Sequence, residues 1–198
     1  MDLSIILIAE DSTTLGKVTD SPDYGGLGFD YKWDMGWMND TLSYFQIHPY
    51  DRMTDYHKLT FSMMYYYSEH FMLPLSHDEV VHGKATILQK MNGMYEGKFP
   101  QARAMYMYMY AHPGKKLNFM GNEYGQFKEW DYKDGLEFFM KNFENHKKLS
   151  DFNKMLNNVY KDTPALYEIE DSWEGFSWIN ADERDNNIIS FERRDKSG

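Results

Sequence analysis

The apolar positions fall in short unbroken runs, and three of these runs stop at acidic or histidine residues. Residues 3–8 (LSIILI) lead into Ala9-Glu10-Asp11-Ser12. Residues 71–75 (FMLPL) lead into Ser76-His77-Asp78-Glu79, and residues 117–120 (LNFM) into Gly121-Asn122-Glu123. Such continuous rather than alternating runs predict strands buried on both faces. A fourth, weaker strand is expected at residues 28–31 (GFDY), after the Gly25-Gly26 turn signal. Helical stretches lie between them. Residues 56–70 (YHKLTFSMMYYYSEH) lack Gly and Pro and have room for about four turns. Residues 101–111 (QARAMYMYMYA) alternate Met and Tyr, which alone would suit a strand. Pro100 ahead of them, Ala102 and Ala104 within, and the His112-Pro113-Gly114 stop favour a helix. Residues 147–159 set Leu149, Phe152, Met155, Leu156 and Val159 on one helical face. Strands alternating with helices predict a parallel sheet.

The pattern changes at residues 161–164. Residues 175–180 (GFSWIN) and 187–191 (NIISF) read as strands joined by a charged turn at 181–186, with no helix between them, so an antiparallel hairpin is expected. Parallel strands carrying acids at their C-terminal ends suggest a (β/α)8 barrel, whose sites lie on that rim. A whole barrel takes about 250 residues, more than this chain of 198 provides. The expected architecture is therefore α/β: residues 1–162 form the second half of a (β/α)8 barrel, with four parallel strands. Residues 163–198 open an incomplete all-β C-terminal domain, and the chain reads as cut at both ends.

Charge narrows the function. Lys and Arg total 21 against 31 Asp and Glu, a net charge of −10, which argues against nucleic-acid or anionic-membrane partners. No apolar run approaches the roughly 20 residues of a membrane span, and the N-terminal stretch does not read as a signal peptide. The absence of cysteine removes disulfides, thiolate metal sites and Cys nucleophiles, and fits a cytoplasmic location. Aromatics reach 17%, with 15 Met. Core packing accounts for both, although flat rings with polar tips also suit sugars.

Glu10 reads either as a solvated acid at a strand end or beside a helix N-cap, or as a general acid: a carboxyl partly desolvated on a barrel rim keeps its proton near neutral pH. Asp78 should face the same mouth from another strand, and His77 could donate to a substrate hydroxyl. His77, Glu79 and His82 do not make a zinc helix. The two His are five positions apart, about 140° on a helix, and Pro74 and Gly83 oppose helix formation. No metal site or cofactor is expected. Glu123 and the Glu129-Trp130 pair are candidate substrate contacts or loop-packing residues. Trp33 and Trp37, four apart, would share a helical face, as packing residues or as a sugar platform. GGLG at 25–28 lacks the context of a phosphate loop, no GxSxG occurs, and Asn39-Asp40-Thr41 carries no weight as a glycosylation site without a secretory signal.

IAEDST (8–13), GGLGFDYKWDMGWMNDTL (25–42), LPLSHDEVVHGK (73–84), HPGKKLNFMGNEYGQ (112–126) with EW at 129–130, and PALYE…GFSWI (164–179) together resemble the bacterial 1,4-α-glucan (glycogen) branching enzymes of the α-amylase clan. The resemblance runs in order over nearly the whole chain. It implies a catalytic barrel followed by an all-β domain. It also implies cleavage of an α-1,4 glucan with transfer to a 6-hydroxyl through a covalent glycosyl-enzyme, without metal. Glu10 matches the family's acid/base, Asp78 its transition-state-stabilising aspartate and His77 its sugar-binding histidine. The nucleophilic Asp of a GFRxDAV-type segment and the DWVPxHF-type segment have no counterpart here. Retaining chemistry needs that carboxylate about 5–5.5 Å from the acid/base, so the chain alone is expected to be inactive. Raw sheet edges imply self-association. A non-catalytic glucan-binding module and a metal hydrolase built on HDEVVH are the alternatives.

Overall fold

The computed structural model describes residues 5–198. Four parallel strands form one sheet in the order β1 (Ile8–Ala9), β2 (Tyr31–Trp33), β3 (Phe71–Leu75) and β4 (Lys115–Asn118). Helices α1 (Met35–Gln46), α2 (Ile87–Lys90), α3 (Tyr95–Ala111) and α4 (Glu144–Asp162) intervene or follow. An antiparallel pair, β5 (Phe176–Glu183) and β6 (Ile188–Arg193), closes the order. The expected α/β class, with four parallel strands followed by a hairpin, is what the chain adopts.

One sheet face carries the core. Leu73 and Leu75 are fully buried with Trp37 of α1, Met105, Tyr106 and Met109 of α3, and Leu149 of α4. The Met-Tyr run is helical, as expected, and Met107 points outward. Ile8, Tyr31 and Met72 lie on the opposite face, because partners in a parallel register share a side and neighbours along a strand alternate. They border an open concavity of about 680 Å3, shared with Lys115 and Glu123.

Several boundaries differ from expectation. The first strand is Ile8–Ala9 rather than residues 3–8; residues 3 and 4 lie outside the described residues, and Ile5, Ile6 and Leu7 are exposed coil. Among the described residues, β1 pairs only with β2, so little holds its apolar run in a sheet. The second strand starts at Tyr31, because Gly28 (φ 75°) still belongs to the loop and donates its N–H to Asp20 O. The fourth strand starts at Lys115, two residues early. Its lysines are matched, Lys115 by Glu170 and Lys116 by the carbonyls of His112 and Gly114.

Residues 56–70 do not make one helix. They form 3-10 turns at Pro49–Leu59, Phe61–Met64 and Tyr66–Ser68, with non-helical backbone at Asp55. Their rings serve different neighbours: Tyr65 reaches Asp34, Tyr66 packs on His112, and Tyr67 packs on Trp173. One α-helical face could not supply all three. The helix after β2 is instead α1, capped by Asp34, whose Oδ1 accepts from Trp37 N at 2.8 Å. Trp33 therefore lies on a strand and Trp37 on a helix, and they share no helical face. Helix α3 begins at Tyr95, so Pro100 sits inside it rather than ahead of it. Helix α4 runs beyond residues 147–159 at both ends.

The hairpin is strapped back onto the sheet unit. Phe176 joins the core. Arg193 donates to Ala111 O at 2.9 Å, Gly175 O at 3.1 Å and Ile169 O at 3.2 Å. Tyr56 Oη donates to Ile188 O, and Asn187 Nδ2 to Pro49 O at 3.2 Å.

Candidate active site

Four parallel strands deliver their next residues to one end of the sheet. Glu10 and Asp11 follow β1, Asp34 follows β2, Ser76–Glu79 follow β3, and Gly121–Glu123 follow β4. Each segment there is fixed by local hydrogen bonds. After β3, residues His77–Val80 make a 3-10 turn in which Ser76 Oγ accepts from Asp78 N (3.1 Å) and Glu79 Oε2 accepts from Ser76 N (2.7 Å) and Ser76 Oγ (2.6 Å). Glu79 is thereby buried as a cap, which leaves His77 and Asp78 facing solvent. Their side chains approach to 3.4 Å (Nε2–Oδ1) and are each about two-fifths exposed.

The His77 ring packs against Phe119 and Trp130, with centroids 5.8 and 5.6 Å away. His77, Asp78 and Trp130 line a cleft of about 690 Å3 with His82, Glu129 and Tyr132. A carboxylate, an imidazole and an aromatic ring in one wet cleft suit a hydroxylated ring with an apolar face. The other candidates lie elsewhere. Glu10 is at the same end of the sheet but does not line this cleft, and it is exposed rather than desolvated. Glu123 turns to the open concavity of the sheet, its Oε2 accepting from Gly121 N at 2.8 Å. Trp33 borders a separate hollow of about 420 Å3 with Asp11, Asp34, Phe61 and Tyr65.

Two residues absent from the candidates above, Lys32 and Asp34, shape this rim together with Glu129. Lys32, buried in β2, reaches the loop after Glu10. It pairs with Asp11 (3.0 Å) and donates to the carbonyls of Thr13 and Leu15 (both 3.2 Å). The backbone N–H of Thr13 and the Lys32 ammonium hold the Asp11 carboxyl below the usual range. Asp34 is buried, with Oδ1 shared between Trp37 N and Tyr65 Oη and with Oδ2 unpartnered among the described residues. Burial pushes its carboxyl up to about 6. A charged residue inside the short DYKWD segment was the available signal for both. Glu129 accepts from Gly83 N and Ala85 N, and these two bonds lower its pKa. Its carboxylate is engaged with backbone rather than open to a ligand.

No protein-family model matches the chain. Curated relatives do. The 1,4-alpha-glucan branching enzyme GlgB 1 of Clostridium perfringens (strain SM101 / Type A) is 51% identical over 194 residues, which cover 98% of this chain and 29% of that protein. GlgB of Bacillus caldolyticus is 49% identical over 196 residues, 98% of this chain and 29% of its own length. Over this stretch the chain is the counterpart of part of a branching-enzyme sequence. GlgB of Aquifex aeolicus (strain VF5) agrees, at 50% identity over 191 residues, 96% of this chain and 30% of its own. The chain thus spans under a third of the branching enzymes it matches. No helix among the described residues is long and apolar enough to cross a membrane.

Proposed function

We propose that this chain carries part of the glucan-handling rim of a 1,4-α-glucan branching enzyme of the α-amylase clan, working in the cytoplasm. The observation that carries the reading is the His77–Asp78 pair beside Trp130 at the carboxyl end of β3, in a chain about 50% identical to GlgB sequences. In this reading Glu10 protonates the glycosidic oxygen as the α-1,4 bond breaks, then takes the proton of the incoming 6-hydroxyl as the α-1,6 bond forms. Asp78 stabilises the oxocarbenium-like transition state by gripping sugar hydroxyls, and His77 donates to the same sugar. Trp130, Trp33 and Glu123 contact further glucose units. The nucleophilic carboxylate that retaining chemistry needs comes from outside these 198 residues. Residues 1–162 would supply half of the barrel and residues 163–198 the start of the all-β domain. The uncovered sheet face and exposed edge would make the isolated chain self-associate.

Calorimetric titration with maltoheptaose tests the site. Weak binding, lost about tenfold or more in Asp78→Asn, supports the reading, and the chain alone should leave the iodine stain of amylose unchanged. Tight binding that is indifferent to Asp78 would favour a non-catalytic glucan-binding module. Branching by the chain alone would refute the assignment of the nucleophile to another segment.

A further inference from the structure

The loop after the His77–Val80 turn is held in a costly shape. His82 (φ 57°) and Ala85 (φ 65°) are non-glycine residues in the left-handed region, with Gly83 (φ 79°) between them. Such backbone persists only where its surroundings over-determine it. Here the restraints come from three sides. Glu129 spans the loop with both carboxylate oxygens, Oε2 accepting from Gly83 N at 2.8 Å and Oε1 from Ala85 N at 2.7 Å. Lys90 of α2 donates to the carbonyls of Lys84 and Ala85, the latter at 2.7 Å. Trp130 N donates to Val80 O at 2.9 Å. Donors and acceptors of this short stretch are thus satisfied separately, the N–H groups by Glu129 and the carbonyls by Lys90 and Trp130. The segment held this way presents His82 to the cleft that contains His77 and Asp78.

We propose that Glu129 is a positioning residue: its carboxylate clamps residues 83–85 and so fixes His82 as the wall of the His77–Asp78 cleft, where it serves as a further hydrogen-bonding contact for a polyhydroxylated ligand. The ligand class rests on the glucan reading above, whereas the clamp does not. Glu129 acts through His82 and touches no substrate itself. Glu129→Gln keeps the size and one acceptor but turns a donor toward one of the two N–H groups, so it breaks half the clamp.

The test is amide exchange by NMR on the intact chain, with maltoheptaose titrated into the unmodified protein, Glu129→Gln, His82→Ala and the double variant. In Glu129→Gln, exchange at Gly83 and Ala85 should rise at least about tenfold while Leu73 and Leu75 in β3 keep their protection. Affinity for maltoheptaose should fall about three- to tenfold in either single variant and no further in the double, because both changes remove one contact. Unchanged exchange at Gly83 and Ala85 would overturn the clamp. A loosened loop with undiminished affinity, or fully additive losses in the double variant, would overturn the positioning role. If the unmodified chain binds no maltoheptaose, the glucan reading fails, and the clamp is decided by the amides alone.

Discussion

Asp34 concentrates the conflict between burial and charge at the rim. Its carboxyl is raised to about 6 by burial, despite hydrogen bonds from Trp37 N and Tyr65 Oη. An unfolded aspartate titrates near 3.9, so between about pH 4 and 6 the folded chain binds more protons than the unfolded one. Asp34 therefore contributes stability that is fully present below about pH 4 and is lost as the pH rises through 6. The difference amounts to about 2–3 kcal/mol. Asp34→Asn should remove this contribution. Urea midpoints measured at pH 4 and pH 7 should draw together in the variant relative to the unmodified chain, and equal pH slopes in the two proteins would exclude the effect. The strand-end positions of Glu10, His77 and Asp78 were legible because chemistry-bearing residues stood directly after apolar runs. Asp34 and Lys32 were not, because their importance comes from being buried by segments distant in sequence: Tyr65 for one, the loop at Asp11–Leu15 for the other.

At the level of elements, local signals were reliable where one neighbour decides the conformation. The His112-Pro113-Gly114 stop ended α3 as expected, and the antiparallel hairpin formed as expected, with β5 running on to Glu183, into the turn expected at 181–186. They failed where several neighbours compete. Residues 56–70 have helix-compatible composition, yet their tyrosines are distributed among the β2 rim, His112 and the hairpin, and the backbone breaks into 3-10 turns. The starts of β2 and β4 shifted by three and two residues because loop glycines and matched lysines move the boundary without changing hydrophobicity. Gly125 shows how tight such a junction is. It ends the turn at Asn122–Tyr124 with φ 72°, and a Cβ there would lie 2.8 Å from Leu88 and 3.3 Å from Leu149 side-chain carbons. Gly125→Ala should cost about 1–2 kcal/mol, read from the urea midpoint, whereas Gly97→Ala in α3, with nothing near its Cβ, should be neutral or stabilising.

At the scale of the whole molecule, one sheet face and the β1 segment are left uncovered among the described residues. Ile5, Ile6, Leu7 and Ile8 are between 40% and 65% exposed, beside the concavity at Tyr31 and Met72. An apolar edge of this kind drives association. Sedimentation at micromolar concentration should give a mass above that of the 23.6 kDa chain, with association weakened in the Ile6→Lys, Ile8→Lys double variant. A clean monomer would remove the expectation. The strap that ties the hairpin to the sheet unit also orders events in time. Its bonds join positions 132 and 138 residues apart, and links of that span form late because loop closure must precede their gain. A ribosome making this polypeptide would release the Pro49–Leu59 segment long before Ile188 exists to accept the Tyr56 hydroxyl. During that interval the Pro49–Leu59 segment lacks this partner, and a stall before Ile188 is made would leave it open to proteases.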